Sequence, residues 1–492
     1  MGQKIIQQHF SHADFVQFRE RLVTQLAALK KLIKQPTFGD EPLQLGAELE
    51  LYLLDENFKP ACASDQVLAN LNDPLFQYEI NQYNIELNLP AVATQGRPFS
   101  AIEAKMLNKL SELSKITEQL DLLPLAIGIL PSLSRTDLDI DKMTDQLRYK
   151  LLSHQLSCAR GKPFHIDIHG EETIELNLTD VTAEGANTSF QVHMMVPPDE
   201  FTKVYNAVLL TQPLVTAIAA NSPFFLSKRA WHETRVALLK QTLDCRLPEM
   251  NAHKLPARVN LGCGWLKNDA WSLYAEAVAL YPILLPYLTE DVDSQLPHFA
   301  ELNFHMGTIW SWNRPVYCPQ GNGHIRIELR ALPAGPSCID MLANAAFAIG
   351  LAYGLRDQID DFMAIMPFDF ADYNFYRAAQ SGIDAYLMWP DLHQFKLSQQ
   401  AVGQIIRQYL PVAKQGLLAL KIEQAEANKY LQIIEQRLES GMTSARWQLE
   451  TVKFFEQTQN RQQACQQMLK LYAQFSNANL PVEQWERVWQ SN

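Results

Sequence analysis

GAELELYLLD, residues Gly46 to Asp55, is the stretch whose reading decides the fold. Successive side chains of a strand point to opposite faces. Ala47, Leu49, Leu51 and Leu53 therefore form an apolar stripe, while Glu48, Glu50 and Tyr52 share the other face. Taken alone, an E-x-E on an amphipathic strand reads as a wet sheet face, because half-buried strands alternate in this way. Two like charges side by side otherwise call for something positive, such as a divalent cation held by hard oxygen ligands. The rest of the chain has to choose between these readings.

Three other stretches divide in the same way. In HIRIELRAL (His324–Leu332), Ile325, Ile327 and Leu329 alternate with Arg326, Glu328 and Arg330. In FQVHMMV (Phe190–Val196), Gln191, His193 and Met195 alternate with apolar residues, and in Asn84–Leu89, Asn84, Glu86 and Asn88 oppose Ile85, Leu87 and Leu89. In one curved antiparallel sheet these polar faces would converge as Glu48, Glu50, Glu86, His193 and Glu328, flanked by Arg326 and Arg330. Carboxylates with one imidazole suit Mg²⁺ or Mn²⁺ better than zinc or copper, and guanidinium forks suit phosphate oxygens. Together they are what phosphoryl transfer from ATP requires. Singly, each has a plainer reading. Arg326, Glu328 and Arg330 read as a surface ion-pair ladder, His193 as a hydrogen-bonded core histidine, and Trp265, Trp310 and Trp312 as core aromatics. The joint pattern is what points to a site.

The surrounding chain is mixed α and β. Helical spacing over residues 13–34 ends at Gln35-Pro36, and Phe76–Leu89 is strand-like. A long helix follows Pro98, short strands are expected at 164–169, 172–178 and 190–197, and helices at about 200–220 and 337–358. Residues 243–323 are less regular and rich in Pro, Trp and Gly. From about Leu397 Gly and Pro nearly vanish, and Gln, Leu and Ala recur at helical spacing.

Composition narrows the function. With 492 residues, 47% of them hydrophobic and 20% charged, the chain reads as a globular protein, and a net charge of −12 argues against nucleic-acid or anionic-membrane binding. The seven cysteines include no C-x-x-C pair, so neither a zinc site nor a disulfide framework is expected, and a reduced cytoplasm is the simplest home. The opening MGQKIIQQHF lacks a signal-type apolar core, and the run Ala277–Leu288 is interrupted by Pro282 and Pro286. No secretion or membrane insertion is expected. G-x-x-x-x-G-K-[ST], H-E-x-x-H and G-x-S-x-G are missing, and Gly262 and Gly264 lack the third glycine of a dinucleotide fingerprint.

In chain order these residues resemble glutamine synthetases and the glutamate-cysteine ligases built on the same fold. GAELELYLLD is similar to their E-x-E strand, and SFQVHMMVP to their H-x-H-type metal strand, with Gln191 in place of the first histidine. TIWSWNRPVY and IRIELRALPAGPSCIDMLANAAFAIGL resemble the stretch in which an Arg after Asn meets nucleotide phosphates and an E-x-R strand leads into a long Ala-rich helix. AANSPFF with Arg235 is similar to the ANSPF-plus-arginine segment of carboxylate-amine ligases. The resemblance runs from about residue 43 to 355. With the E-x-E strand starting so early, no N-terminal β-grasp domain is expected, which favours the glutamate-cysteine ligase branch.

The resemblance implies an α+β fold: a curved, mainly antiparallel sheet forming a glutamine-synthetase-like catalytic barrel with outer helices. With the change of character near Leu397, the expected division is a ligase domain over residues 1–390, its core about 43–355, and a helical C-terminal extension over 391–492. Glu50, Glu86 and Glu79 would hold one metal, and Glu48, His193 and Glu328 the metal of the nucleotide. Arg314 and Arg326 would meet phosphates, Arg330 and Arg235 the acceptor carboxylate or acyl phosphate, with Arg330 and Arg326 catalytic. Glu79 and Glu86 stand seven apart, which a regular strand places on opposite faces. A bulge or turn at Gln82-Tyr83 would bring Glu79 back, and without one Asn84 or Asn88 would take part of its place. The implied activity is an ATP- and Mg²⁺- or Mn²⁺-dependent carboxylate-amine ligase acting through an acyl phosphate, with glutamate and cysteine the leading pair. Its partners would be a small acid and a small amine, and a homo-oligomer is compatible. The alternatives are a phosphotransferase on the same fold and a catalytically reduced nucleotide-binding or assembly protein, the latter suggested by Gln191.

Overall fold

The computed structural model describes residues 7, 9–246, 255–289 and 295–490. In chain order it begins α1 (His12–Leu32), β1 (Gln44–Leu54), α2 (Ser64–Leu71), β2 (Phe76–Tyr78), β3 (Asn84–Ala93), α3 (Pro98–Glu118), β4 (Leu123–Leu125) and α4 (Leu147–Arg160). There follow β5 (Phe164–His169), β6 (Thr173–Leu178), β7 (Phe190–Met195), α5 (Phe201–Ala219), β8 (Phe224–Phe225), β9 (Lys228–Arg229), α6 (Arg235–Thr242), α7 (Ala270–Leu280) and α8 (Ala300–Met306). Next come β10 (Asn313–Cys318), β11 (His324–Leu329), α9 (Cys338–Leu355), α10 (Ile359–Ile365) and α11 (Phe368–Ser381). The chain closes with β12 (Tyr386–Asp391), β13 (Lys396–Ala401), α12 (Val402–Ala419), α13 (Gln424–Ser440), α14 (Ser444–Phe455) and α15 (Arg461–Asn477). The opening residues read for a leader, 1–6 and 8, and parts of the irregular 243–323 region lie outside the described residues.

The four strands with one polar face do join a single antiparallel sheet, in the order β10-β11-β7-β1-β3-β2, with β4 also paired to β1. Its curvature makes a half-barrel, as the alternation and the resemblance led us to expect. Register then decides which polar side chains meet. Glu50 lies opposite Glu86 and Glu48 opposite both Asn88 and Gln191, Glu328 lies opposite His193, and Arg314 lies opposite Glu328. Because side-chain direction has a period of two, these pairings put every carboxylate and arginine on the concave face. Leu49, Leu51 and Leu53 are fully or almost fully buried on the other face.

Two expected elements come out differently. Phe76–Leu89 is two strands, because the chain leaves β2 after Tyr78 and turns before Asn84. Residues 164–178 form a separate two-stranded ribbon, β5-β6, that does not join the sheet. A β12-β13 hairpin precedes the C-terminal helices, so residues 397–401 are strand.

Behind the sheet, α9 is the hub, packing against α5, α12 and α13. Its crossing with α12 is close because glycines face each other: a Cβ on Gly350 would stand 2.5 Å from the Ala413 carbonyl oxygen. Residues Cys338–Ile365 are long and apolar enough to cross a bilayer, but 89% of that apolar window is buried inside the protein, the pattern of a core helix. The buried side chains of α12 to α15 belong to the same apolar core as those of the sheet.

Candidate active site

On the concave face the structure assembles two groups of potential metal ligands. Ligand atoms of Glu48, His193 and Glu328 lie within 4.8 Å of one another, as do those of Glu50, Glu79 and Glu86. Five of these six residues come from neighbouring strands by register alone. Glu79 arrives by another route. It is the first residue past β2, and the turn through Gln82-Tyr83 frees it from strand parity. Its backbone is pinned there: the Thr144 hydroxyl donates to the Glu79 carbonyl at 2.5 Å, and the Tyr149 hydroxyl donates to the Tyr78 carbonyl at 2.8 Å.

The two groups differ in electrostatics. Glu328 is buried and gripped by the Arg314 fork, Nε to Oε2 at 2.5 Å and Nη2 to Oε1 at 2.9 Å, while Arg330 Nη1 donates to Oε1 at 3.1 Å. Burial alone would raise its pKa, but Arg314, Arg330 and His193 hold it well below the usual carboxylate range. Glu48 is likewise pulled down: His193 beside it outweighs its burial. Glu50, Glu79 and Glu86 form no ion pair among the described residues. Burial, then the charge of Glu86, pushes Glu50 up to about 8. Glu79 is raised well above its ordinary value by burial and Glu86, and Glu86 by burial and Glu48. Three carboxylates this close hold a shared proton or a cation. An all-oxygen donor set of this kind fits Mg²⁺ or Mn²⁺, and the imidazole-bearing group beside it is compatible with the same ions.

Gln191 ties the two groups together. Its Nε2 donates to Glu50 Oε1 at 2.8 Å and its Oε1 accepts from Arg330 Nη1 at 2.5 Å. The Ser189 N–H donates to the other Glu50 oxygen at 2.7 Å. Arg326 Nε donates to His193 Nδ1 at 3.0 Å, and His193 Nε2 stands 2.9 Å from Glu48 Oε1.

The cavity over these residues has a volume of about 150 Å³ and is lined by both ligand groups, Gln191, Arg314, Arg326 and Arg330. Through Arg148, Tyr149, Leu152, Arg314 and Val316 it shares a wall with a larger, mainly apolar cavity of about 340 Å³. Arg235 stands apart from the other expected residues. It is buried, bonds Glu233 Oε1 at 3.1 Å and the Ala331 carbonyl at 3.3 Å, and does not line the cavity. A guanidinium so enclosed braces the segment after β11.

Glu184, Arg148 and Tyr149 line the cavity without having been singled out in the sequence. Glu184 lies in a short turn ahead of β7, where no periodicity marks it. Burial pushes its carboxyl up to about 7. Arg148 and Tyr149 open α4 and reach the site only because that helix start docks on the end of β2.

The family profile described as glutamate-cysteine ligase family 2 matches residues 44–470. No curated protein sequence matches the chain. Among solved structures, a glutamate-cysteine ligase from Francisella tularensis, in complex with AMP, superposes with a TM-score of 0.55 at 13% identity over 90% of each chain. A bifunctional glutathione synthetase from Pasteurella multocida aligns with a TM-score of 0.48 at 12% identity, over 93% of this chain and 55% of that one.

Proposed function

This chain belongs to glutamate-cysteine ligase family 2 and is an ATP-dependent ligase that forms a C–N bond, and we propose that it joins glutamate, or a close analogue, to cysteine or a similar amine through an acyl phosphate. The observation that carries the reading is the pair of ligand groups, three residues each, side by side on a concave sheet face and flanked by arginines.

In the proposed reaction the substrate carboxylate attacks the γ-phosphorus of ATP and ADP leaves. The amine then attacks the acyl carbon, phosphate departs with the bonding electrons, and the amine loses a proton. Bound cations would neutralise charge on the transferring phosphoryl group and on the oxygens at either side of it. Glu50, Glu79 and Glu86 would hold one, and Glu48, His193 and Glu328 the other. The chain's own groups do the positioning. Arg314 keeps Glu328 ionised and in place, since its fork is occupied by that carboxylate. Arg326 and Arg330 each use one nitrogen within the protein, leaving further N–H groups for phosphate or carboxylate oxygens. The mainly apolar 340 Å³ cavity beside Arg314 gives room for a nucleoside.

The test is a coupled ADP-release screen of amino acids, singly and in pairs, with mass analysis of the product. A γ-glutamyl amide that needs both acid and amine supports the reading. ADP release with the acid alone and no amide would mark a phosphotransferase, and Mg²⁺-ATP binding without turnover a nucleotide-binding protein with reduced catalysis.

A further inference from the structure

Glu184 sits in the turn Thr182–Ala186, just ahead of β7. That turn is fastened to the β2-β3 turn that delivers Glu79. Asn81 Nδ2 donates to the Thr182 carbonyl at 2.9 Å and to the Tyr83 hydroxyl at 2.7 Å. A Cβ on Gly185 would stand 2.4 Å from Asn81 Nδ2, so no larger residue fits between the two turns. Asn187 closes the turn on itself, its Nδ2 donating to the Ala183 and Glu184 carbonyls at 2.9 and 3.0 Å. The Glu184 side chain is thus presented by a rigid backbone, half-buried, on the wall of the reactive cavity.

Every other carboxylate of that cavity has a partner. Glu48 has His193, Glu50 has Ser189 and Gln191, Glu79 has the Ile80 N–H, Glu86 has Asn88, and Glu328 has two arginines. The Glu184 carboxylate accepts no hydrogen bond and forms no ion pair among the described residues, and it belongs to neither ligand group. An unpartnered, half-buried carboxylate on a cavity wall is costly unless something cationic arrives with the ligand. Arg330 lines the same cavity and its positive charge acts on Glu184. That guanidinium gives Nη1 to Gln191 and Glu328, while its remaining N–H groups make no hydrogen bond among the described residues. A carboxylate and a guanidinium facing one space are the complement of a zwitterionic amino-acid head.

We propose that Glu184 receives the α-ammonium of the amino acid whose side-chain carboxylate is activated, with Arg330 taking its α-carboxylate. The assignment deepens the functional reading above and rests on it. Glu184 is then a specificity determinant that distinguishes an amino diacid from the plain diacid of the same length.

The experiment compares wild type, Glu184→Gln and Glu184→Asp with L-glutamate and with glutarate, each with saturating cysteine and Mg²⁺-ATP. ADP release gives KM and kcat. Calorimetric binding of both acids in the presence of Mg²⁺ and a non-hydrolysable ATP analogue, together with Mn²⁺ titration, gives readouts independent of turnover. Loss of a hydrogen bond between charged groups corresponds to a weakening of about 10- to 100-fold. Glu184→Gln is therefore expected to raise KM and Kd for L-glutamate by about that factor, leaving glutarate, kcat and Mn²⁺ affinity nearly unchanged, and Glu184→Asp should recover part of the preference. Equal losses for both acids, a fall in Mn²⁺ affinity, or a KM rise confined to cysteine would overturn the assignment. If wild type neither binds nor turns over L-glutamate, the functional reading itself fails. If wild type turns it over and Glu184→Gln is indifferent, only the present assignment fails.

Discussion

Replacing Glu50 by Gln should make the metal-free protein more stable and the metal-loaded protein less so. Glu50 shares its site with Glu79 and Glu86, and burial plus the Glu86 charge carries its pKa from 4.5 to about 8. The sign follows from linkage. A carboxyl whose folded pKa is raised contributes stability that is complete below about 4.5 and is lost as pH rises toward 8. At pH 7 the loss in wild type amounts to about 3 kcal/mol, at 1.36 kcal/mol for each pH step between 4.5 and 7. The amide removes that loss but faces two donors, Ser189 N–H and Gln191 Nε2, with one acceptor oxygen. The mismatch costs about 1 kcal/mol, leaving a net gain of about 2 kcal/mol. For a chain of this length the unfolding entropy is about 1 kcal/mol per degree, so Tm should rise by about 2 °C. Differential scanning fluorimetry in EDTA from pH 5 to 8 measures it, and the gap between variant and wild type should widen with pH. With millimolar Mg²⁺ the order should reverse, because wild type gains binding energy that the amide cannot match. A variant less stable than wild type in EDTA at pH 8, a gap that does not change with pH, or equal stabilisation of both proteins by Mg²⁺ would refute the reasoning.

Other perturbations follow from the same contacts. Glu328→Ala leaves Arg314 buried without its carboxylate, a loss of about 3–5 kcal/mol, so a Tm lowered by about 3–5 °C should accompany loss of turnover, and an unchanged Tm would contradict the pairing. His305 is buried, and burial pushes its pKa down to about 4. Its contribution is present above pH 6.5 and lost as pH falls toward 4, about 3 kcal/mol at most, so Tm against pH should fall more gently below pH 6.5 for His305→Gln than for wild type. Gly350→Ala would push a methyl into the Ala413 carbonyl across the α9-α12 crossing, costing about 1–3 kcal/mol. Gly403→Ala on α12, with its nearest neighbour 3.8 Å away, should leave thermal stability within about 0.5 kcal/mol. A cation bound at His193 Nε2 displaces any proton from that nitrogen, which ¹⁵N chemical shifts of the imidazole would show on titration with Mg²⁺.

The strands and their polar faces were legible in the sequence because side-chain direction in a strand is local, repeating every two residues whatever the partner. That periodicity was enough to mark Glu48, Glu50, Glu86, His193, Glu328, Arg326 and Arg330 as residues of polar faces, and their order along the chain supported one sheet. Composition set further bounds: the acidic balance and the lack of other catalytic motifs turned the reading toward a small-molecule enzyme.

What the tertiary structure alone decided depends on contacts distant in sequence. Strand register selected Glu50 with Glu86 and Glu328 with His193, and a shift of one residue would have turned each set to the apolar side. The turn after Tyr78 brought Glu79 into the site against its strand parity. Gln191, which in the sequence looked like a defect in a metal strand, became the bridge between Glu50 and Arg330. Arg235 went behind the cavity and Glu184 onto its wall, and nothing periodic distinguished either one. In GAELELYLLD the sequence determined that two glutamates share a face. Only long-range register and turn closure could decide that one would stand beside an arginine-neutralised carboxylate and imidazole, and the other beside two carboxylates that form no ion pair among the described residues.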